Sequence, residues 1–214
     1  VITVLNGVNT ITFFPKKPSI TLLKKWGLED SIVIGYFGTL GMAHALSNVI
    51  ETASILKNID QRIKILFVGS GAEKSQLMKL AEENDNQNVI FIPPQPRKLM
   101  PDFWSICDIA LVHLKNAEAF SEVIPSKIFE AMATKCPIIL AAPKGESENL
   151  VVSESIGLWV PPEDPEALTN GILKLANDER LRVKFGQNGL INVGKYSRER
   201  QAKEMLAVFK KLTT

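Results

Sequence analysis

The hydrophobic positions of the chain fall into short continuous runs that alternate with longer segments of helical spacing. The runs have the length of buried strands, and glycine- or proline-containing turns separate them from segments in which apolar residues recur with helical periodicity. The pattern predicts strands at residues 32–37, 63–68, 89–92, 108–113, 137–141 and 157–160. It predicts helices at 20–27, 45–56, 72–83, 97–106, from 126, from 146, and at 165–177, 179–193 and 197–213.

Strands that alternate with helices indicate right-handed crossovers and a parallel sheet covered on both faces. We therefore predict an α/β fold, a doubly wound parallel sheet flanked by helices. No repeat of about 20–50 residues and no internal linker interrupts the pattern, so we expect residues 1–214 to form a single domain. Because the chain starts without Met on the strand-like residues 1–5, we expect it to be a fragment of a longer chain.

Composition restricts the partners and the compartment. The 25 basic and 23 acidic residues give a net charge of +2, a balance too even to indicate a nucleic-acid partner. Cys107 and Cys136 lie in apolar surroundings without CxxC spacing, so we expect buried free thiols, which fit a reducing compartment. No apolar run approaches the ~18 residues of a membrane span, and no signal-peptide core opens the chain. We expect a soluble, cytoplasmic protein.

The stretch from residue 120 to residue 140 carries the clearest chemical signal. Ser126 is a good N-cap, the residues after it favour helix, and Pro137 is expected to stop that helix before a strand. Ser126 and Lys127 should then lie at a helix N-terminus, where N–H groups, the helix dipole and the lysine charge suit a phosphate. Glu122 and Glu130 bracket this anion site, and carboxylates accept hydrogen bonds from sugar and ribose hydroxyls.

The spacing of the two carboxylates alone leaves other interpretations open. A general acid/base pair would satisfy the same spacing. Glu122 as a loop charge and Glu130 as part of an exposed helix face are the structural alternatives.

Glycine-rich or proline-rich turns follow three other predicted strands. They contain Gly38, Thr39 and Gly41 after the strand at 32–37, Gly69 and Gly71 after that at 63–68, and Gln95 after that at 89–92. Ligands of open parallel sheets bind beyond the carboxyl ends of the strands. Each turn is a weak signal alone, but their succession indicates a nucleotide site.

The central stretch also resembles the signature of a known family. A Glu, seven intervening residues and a second Glu, followed by Ala-Met-Ala and a Pro-led apolar strand, is similar to the retaining family 4 (group 1) glycosyltransferases. The resemblance extends over roughly residues 1–195 and includes the glycine-rich turns. It implies the C-terminal, nucleotide-sugar-binding half of a GT-B fold enzyme.

The resemblance implies roles for individual residues. Glu130 would accept hydrogen bonds from the ribose hydroxyls of the donor nucleotide, and Glu122 would face the transferred sugar near its reacting carbon. Many family members direct an Arg and a Lys at the diphosphate, where this chain has Thr39 and His44. Lys127 and a protonated His44 are the replacements that the sequence offers.

The segment Pro125-Ser126-Lys127 is similar to a subgroup of transferases that build bacterial surface polysaccharides. That resemblance implies sugar transfer with retention from a nucleotide diphosphate sugar, with a UDP-sugar expected. The acceptor would be a saccharide or a lipid-linked saccharide bound by an absent N-terminal domain, so the chain alone should transfer sugar poorly. No Asp-x-Asp triplet and no His/Cys/Asp/Glu cluster has metal-ligand spacing, so we expect no metal and no cofactor.

Three questions stay open at this point. A non-catalytic nucleotide-binding or interaction module of the same fold is the alternative function, and Thr39 and His44 would then mark lost catalysis. A nucleotide-sugar epimerase of similar architecture is disfavoured. The basic C-terminal helix is a solvated face, a bridge to the absent domain, or a peripheral contact with the inner face of the membrane.

Overall fold

The predicted apolar runs form strands that pair in parallel. The computed structural model describes residues 3–212, with side chains described as far as residue 211. Within these residues the strands are β1 (Ile32–Phe37), β2 (Ile63–Val68), β3 (Val89–Ile92), β4 (Ile109–His113), β5 (Ile138–Ala141) and β6 (Gly157–Val160). They form one sheet in the order β3-β2-β1-β4-β5-β6. The predicted fold class, a doubly wound parallel sheet flanked by helices, is confirmed.

Helices follow the strands at the places where the periodicity changes. In the described chain they are α1 (Ile20–Trp26), α2 (Ser47–Ile59), α3 (Lys74–Glu83), α4 (Met100–Ser105), α5 (Ser126–Ala133), α6 (Glu146–Ser153), α7 (Pro165–Asn177), α8 (Glu179–Asn192) and α9 (Arg198–Leu212). Short 3-10 turns lie at Met42–His44, Arg97–Leu99, Glu118–Phe120 and Val193–Tyr196. The predicted helix at 97–106 is thus a 3-10 turn followed by α4.

Local chemistry sets several helix ends as the sequence predicts. The Asp164 side chain accepts a hydrogen bond from the Ala167 N–H at the start of α7, ahead of Pro165 in the first turn. Gly27, in the left-handed region with φ 62°, ends α1. These caps satisfy backbone groups that a helix terminus leaves without partners.

Two predicted boundaries of α5 are wrong. Ser126 is the first helical residue and not the N-cap, because Pro125 holds the capping position in extended conformation with ψ 132°. The helix ends at Ala133, before Pro137 is reached, because Lys135 takes the left-handed φ of 62° and reverses the chain.

The strand order puts a change of winding direction between β1 and β4. From β1 the chain moves outward through β2 and β3, then returns to the other side of β1 and continues through β4, β5 and β6. The segments that leave the carboxyl ends of β1 and β4 therefore diverge. Such a divergence opens a crevice at the edge of a parallel sheet.

The sheet separates two buried apolar layers. Val33 of β1 belongs to the layer that contains Ile128 of α5, and its neighbour Ile34 belongs to the layer that contains Ile50 of α2. Both faces of the strand are buried, which explains why the strands read as continuous apolar runs and not as alternating ones.

Three smaller predictions can be compared with the described residues. Cys107 and Cys136 are both free thiols, but only Cys136 is fully buried. The strand-like run at 1–5 lies partly outside the described residues, and residues 3–7 form no regular element. Between residues 3 and 212 no helix is both long and apolar enough to cross a membrane.

The turns after β1 and β2 approach each other backbone to backbone. A Cβ atom on Gly69 would lie 1.8 Å from the carbonyl oxygen of Gly38, and one on Gly71 would lie 2.1 Å from that of Leu40. Only glycine allows so close an approach. The glycines thus allow close contact between two turns that α2 and β2 separate in the sequence.

We expect Gly69→Ala to lower the free energy of unfolding by about 1–3 kcal/mol. Its methyl group would clash with backbone atoms, which cannot move aside as a side chain can by changing its rotamer. Urea unfolding measures the change. Gly194→Ala is the matched control, since a Cβ at Gly194 has no heavy atom within 4 Å. Equal stabilities of the two variants would mean that the two turns have room to separate.

Candidate functional site

A cleft of about 700 Å³ lies at the carboxyl edge of the sheet. Segments that follow β1, β2, β3 and β4 form its walls, together with the start of α5. This is the crevice that the strand order predicts, and its volume is in the range of small-molecule sites. Its lining combines apolar side chains with a few polar and charged ones.

Backbone hydrogen bonds hold the first two turns of the cleft together. The Gly38 N–H donates to the Val68 carbonyl at 3.0 Å, and the Leu40 N–H donates to the Ser70 carbonyl at 2.9 Å. The Tyr36 hydroxyl donates to the Thr39 carbonyl at 2.8 Å. These bonds leave the glycine-rich rim with little freedom to move.

The N-terminus of α5 opens into the cleft. Pro125, Ser126 and Lys127 all line the cleft, and the first N–H groups of a helix have no partner within the helix itself. The segment that precedes α5 is anchored to the start of α6, where the Glu146 N–H donates to the Ser121 carbonyl at 2.7 Å. A free helix N-terminus of this kind favours an anion.

The Lys127 side chain places its amine where solvent does not reach. Its Nζ atom is inaccessible to solvent and lies 3.7 Å from the centre of the Tyr36 ring, and no side chain or backbone group in the described part of the chain forms a hydrogen bond with it. Burial lowers the pKa of Lys127 from 10.5 to about 7, and the charge of Glu130 opposes that shift. The amine therefore has unused hydrogen-bonding capacity close to the helix N-terminus.

Two histidines lie beneath the same part of the cleft. The His44 Nδ1 atom is 3.2 Å from the backbone oxygen of His113. Burial lowers the pKa of His113 to about 4, and its two ring nitrogens are buried without hydrogen-bond partners. Burial, followed by the charge of Lys127, also lowers the pKa of His44. Both shifts favour the neutral form of the imidazole over the imidazolium.

Glu130 lines the same cleft one turn further along α5 than Lys127. Its side chain is 21% exposed, and its Oε1 atom lies 4.0 Å from Nη2 of Arg97. Burial raises the pKa of Glu130, against the opposing effects of the Trp104 indole N–H and the charges of Arg97 and Lys127. A half-buried carboxylate between two cations is suited to accept hydrogen bonds from hydroxyl groups.

The structure brings most of the predicted site residues together. The cleft is lined by Gly38, Thr39, His44, Gly69, Gln95, Pro125, Ser126, Lys127 and Glu130. Glu122, Gly41 and Gly71 are not among its lining residues. Glu122 is exposed beside Val123, which does line the cleft, and Gly71 has a structural reason to be glycine in its contact with Leu40. The ligand roles of all these residues stay predictions.

Sequence analysis missed Arg97, the second cation of the cleft. Arg97 begins the 3-10 turn after β3, with its guanidinium 5.5 Å from the centre of the Phe13 ring, and its side chain is 55% exposed. The sequence signal was a basic residue directly behind the proline-rich turn that ends a strand. With Arg97 and Lys127, the cleft has positive charge despite Thr39 and His44.

The fold and the cleft define a Rossmann-like α/β unit, an architecture in which ligands bind at the carboxyl edge of the sheet. A model of the family described as glycosyl transferases group 1 matches residues 19–191. The chain belongs to this family, and the resemblance seen in the sequence is confirmed.

Proteins with similar sequences carry names from polysaccharide biosynthesis. The putative colanic acid biosynthesis glycosyl transferase WcaI of Escherichia coli K12 is 32% identical over 67% of this chain and 35% of its own length. The capsular polysaccharide biosynthesis glycosyltransferase CapM of Staphylococcus aureus is 28% identical over 76% of this chain and 41% of its own length. The chain spans less than half of either relative.

Solved structures share the fold at low sequence identity. The C-terminal domain of the group 1 glycosyl transferase LpcC from Francisella tularensis has a TM-score of 0.76 at 22% identity, with 90% of this chain and 100% of that chain covered. Anabaena HepE in complex with UDP and glucose has a TM-score of 0.80 at 18% identity, with 99% of this chain and 56% of that chain covered. At these identities the similarity bears on the fold alone.

We expect Lys127→Met to stabilise the protein near neutral pH by about 1–3 kcal/mol, because the variant removes a buried amine without a hydrogen-bond partner. The pKa of Lys127 is about 7 in the folded protein, below the ordinary lysine value of 10.5. Between these values the unfolded chain binds more protons, so the stability of the wild type should rise with pH through this window. The advantage of the variant should therefore shrink toward about pH 9.

Urea unfolding at about pH 7 and about pH 9 tests this expectation. Lys98→Met is the matched control, because Lys98 is exposed and does not line the cleft. The expectation is contradicted if Lys127→Met is destabilised equally at both pH values, as a well-partnered ammonium would require.

Proposed function

We propose that the chain is the donor-binding half of a glycosyltransferase that transfers sugar, with retention, from a nucleotide diphosphate sugar to a saccharide or lipid-linked acceptor. The observation that carries the proposal is the presence of a half-buried carboxylate, Glu130, and a buried amine, Lys127, in the lining of one cleft, one turn apart on α5. Membership of the family supports the reaction class. The acceptor would bind to a part of the protein outside this chain.

The lining of the cleft offers groups that suit both chemical parts of a nucleotide diphosphate. The diphosphate lies at the start of α5, with the α5 N–H groups, the Ser126 hydroxyl and the Lys127 amine as donors. Glu130 accepts hydrogen bonds from the ribose hydroxyls, and the glycine-rich turns after β1 and β2 let the ligand approach the backbone closely. Positive charge at the diphosphate also stabilises the leaving group, so no metal is needed for that purpose.

Glu122 is proposed to face the transferred sugar. It is exposed in the segment between the turn at Glu118–Phe120 and α5, next to Val123, which lines the cleft. A UDP-sugar is the proposed donor. The complex of HepE, a protein of similar fold, with UDP and glucose supports this choice.

We expect UDP to bind about 10–100-fold more tightly than 2′-deoxy-UDP or 3′-deoxy-UDP, because a hydrogen bond to a charged acceptor is worth about 1.5–3 kcal/mol. The preference should disappear in Glu130→Ala. Isothermal titration calorimetry of each nucleotide with each variant, repeated with GDP and ADP, gives the comparison. Glu83→Ala, an exposed carboxylate at the end of α3, is the control that should keep the preference.

A preference for the ribose hydroxyls that survives in Glu130→Ala would remove Glu130 from the ribose site. The absence of nucleotide binding to this chain and to the full-length protein would reject the proposed function itself.

In the full-length protein, Glu122→Gln should slow sugar transfer by on the order of 100-fold, while UDP affinity changes little. The reason is that Glu122 would act on the sugar and not on the nucleotide. Release of UDP from UDP-glucose and UDP-N-acetylglucosamine, with and without acceptor, is the measurement, and Glu118→Gln in the neighbouring turn is the control. A wild-type protein that binds these donors but never releases UDP would favour the non-catalytic module.

A further inference from the structure

The Lys127 amine has no hydrogen-bond acceptor among the residues that the structure describes. Its Nζ atom is shielded from water and has no acceptor within hydrogen-bonding distance. The face of the Tyr36 ring, 3.7 Å away at its centre, is its close electrostatic neighbour. An ammonium has three donors and no acceptor, so burial without partners favours the neutral amine.

None of the charged and titratable groups around the amine forms a close ion pair with it. They are Tyr36 from β1, His44 from the first 3-10 turn, His113 at the end of β4, Arg97 behind β3, and Glu130 one turn further along α5. Both histidines interact unfavourably with a charged Lys127. Glu130 favours the charged form of Lys127 but accepts no hydrogen bond from its amine. The Glu130 carboxylate also interacts with Arg97.

A diphosphate in the cleft would reverse this situation. Its two negative phosphate groups would lie at the N-terminus of α5, next to the amine, and their oxygens would accept the hydrogen bonds that the empty site does not. The charged form of Lys127 would then be strongly preferred. A lysine with a pKa of about 7 is only partly protonated near neutral pH before this happens.

We propose that donor binding is coupled to the uptake of one proton by the Lys127 amine. The inference rests on the proposed function and adds the regulation of the same site. In the step, the lone pair of the neutral Nζ atom takes a proton from the buffer to give the ammonium, and no bond of the donor is broken. Binding of the diphosphate thus restores a positive charge that burial removes from part of the Lys127 population.

The coupling sets a direction for the pH dependence of affinity. Above the pKa of the empty site each binding event must also bring in a proton, so the affinity falls as the pH rises. With the pKa of Lys127 at about 7 in the empty site, the affinity should be about 20-fold weaker at pH 8.5 than at pH 6.5. Below about pH 6 the affinity should level off.

Calorimetric titration with UDP-glucose, in buffers of low and high ionisation enthalpy, counts the protons directly. UDP-glucose is the probe because its diphosphate diester does not titrate near neutral pH, unlike the terminal phosphate of UDP. With the pKa of Lys127 at about 7, uptake should approach one proton at about pH 8 and nearly vanish at about pH 6.

Two variants identify the group that takes up the proton. Lys127→Arg carries a permanent charge, so it should bind UDP-glucose without proton uptake and with an affinity that no longer falls with pH. His44→Gln should keep the uptake, because the proposed acceptor is untouched. Uptake that persists in Lys127→Arg, or is lost in His44→Gln, would overturn the proposal.

A direct measurement makes the test independent of how well the arginine packs. The ¹³Cε resonance of Lys127, assigned by its absence in Lys127→Met, should titrate near neutral pH in the free protein and stay in the protonated position when UDP-glucose is bound. A resonance that is protonated in both states refutes the coupling while leaving donor binding intact. Failure of UDP-glucose to bind at every pH, in this chain and in the full-length protein, counts against the proposed function instead.

Discussion

Parallel pairing on both sides of β1 is the constraint on which the site depends. The strand pairs with β2 over six residue positions and with β4 over two. Parallel register brings the carboxyl ends of these strands to one edge, and the hydrogen bonds from the Gly38 and Gly69 N–H groups carry the pairing into the turns. Because the chain changes direction between β1 and β4, that edge opens into a cleft where α5 can point its N-terminus.

Several buried polar atoms that lack partners lie close together beneath the cleft, in contrast to the apolar packing of the sheet. Elsewhere the sheet lies between two dry apolar layers. Beneath the cleft, the Lys127 amine and both nitrogens of His113 are buried without hydrogen-bond partners, and the carboxylate of Glu130 is raised in pKa by burial. Such local conflicts are expected at a binding site, where the missing partners are supplied by the ligand.

The comparison of prediction and structure separates local from long-range information. The strand at 32–37 and the Asp164 cap were predictable because an apolar run and an Asp-Pro pair act through their neighbours in sequence. The N-cap assignment of Ser126 failed because the cap depends on the backbone torsion of Pro125, which the preceding segment imposes. Arg97 was missed because its proximity to Glu130 joins residues on different elements, which no spacing in the sequence records.

The sequence by itself determined the alternation of strands and helices, the family to which the chain belongs, and the residue types at the ends of the strands. Those properties follow from side-chain burial and from short-range turn and cap chemistry. The tertiary structure alone decided that the Lys127 amine is dry and unpartnered over Tyr36, and that Arg97 faces Glu130. The physical reason is that solvation and charge interactions depend on distances through space, which only the assembled sheet and its helices define.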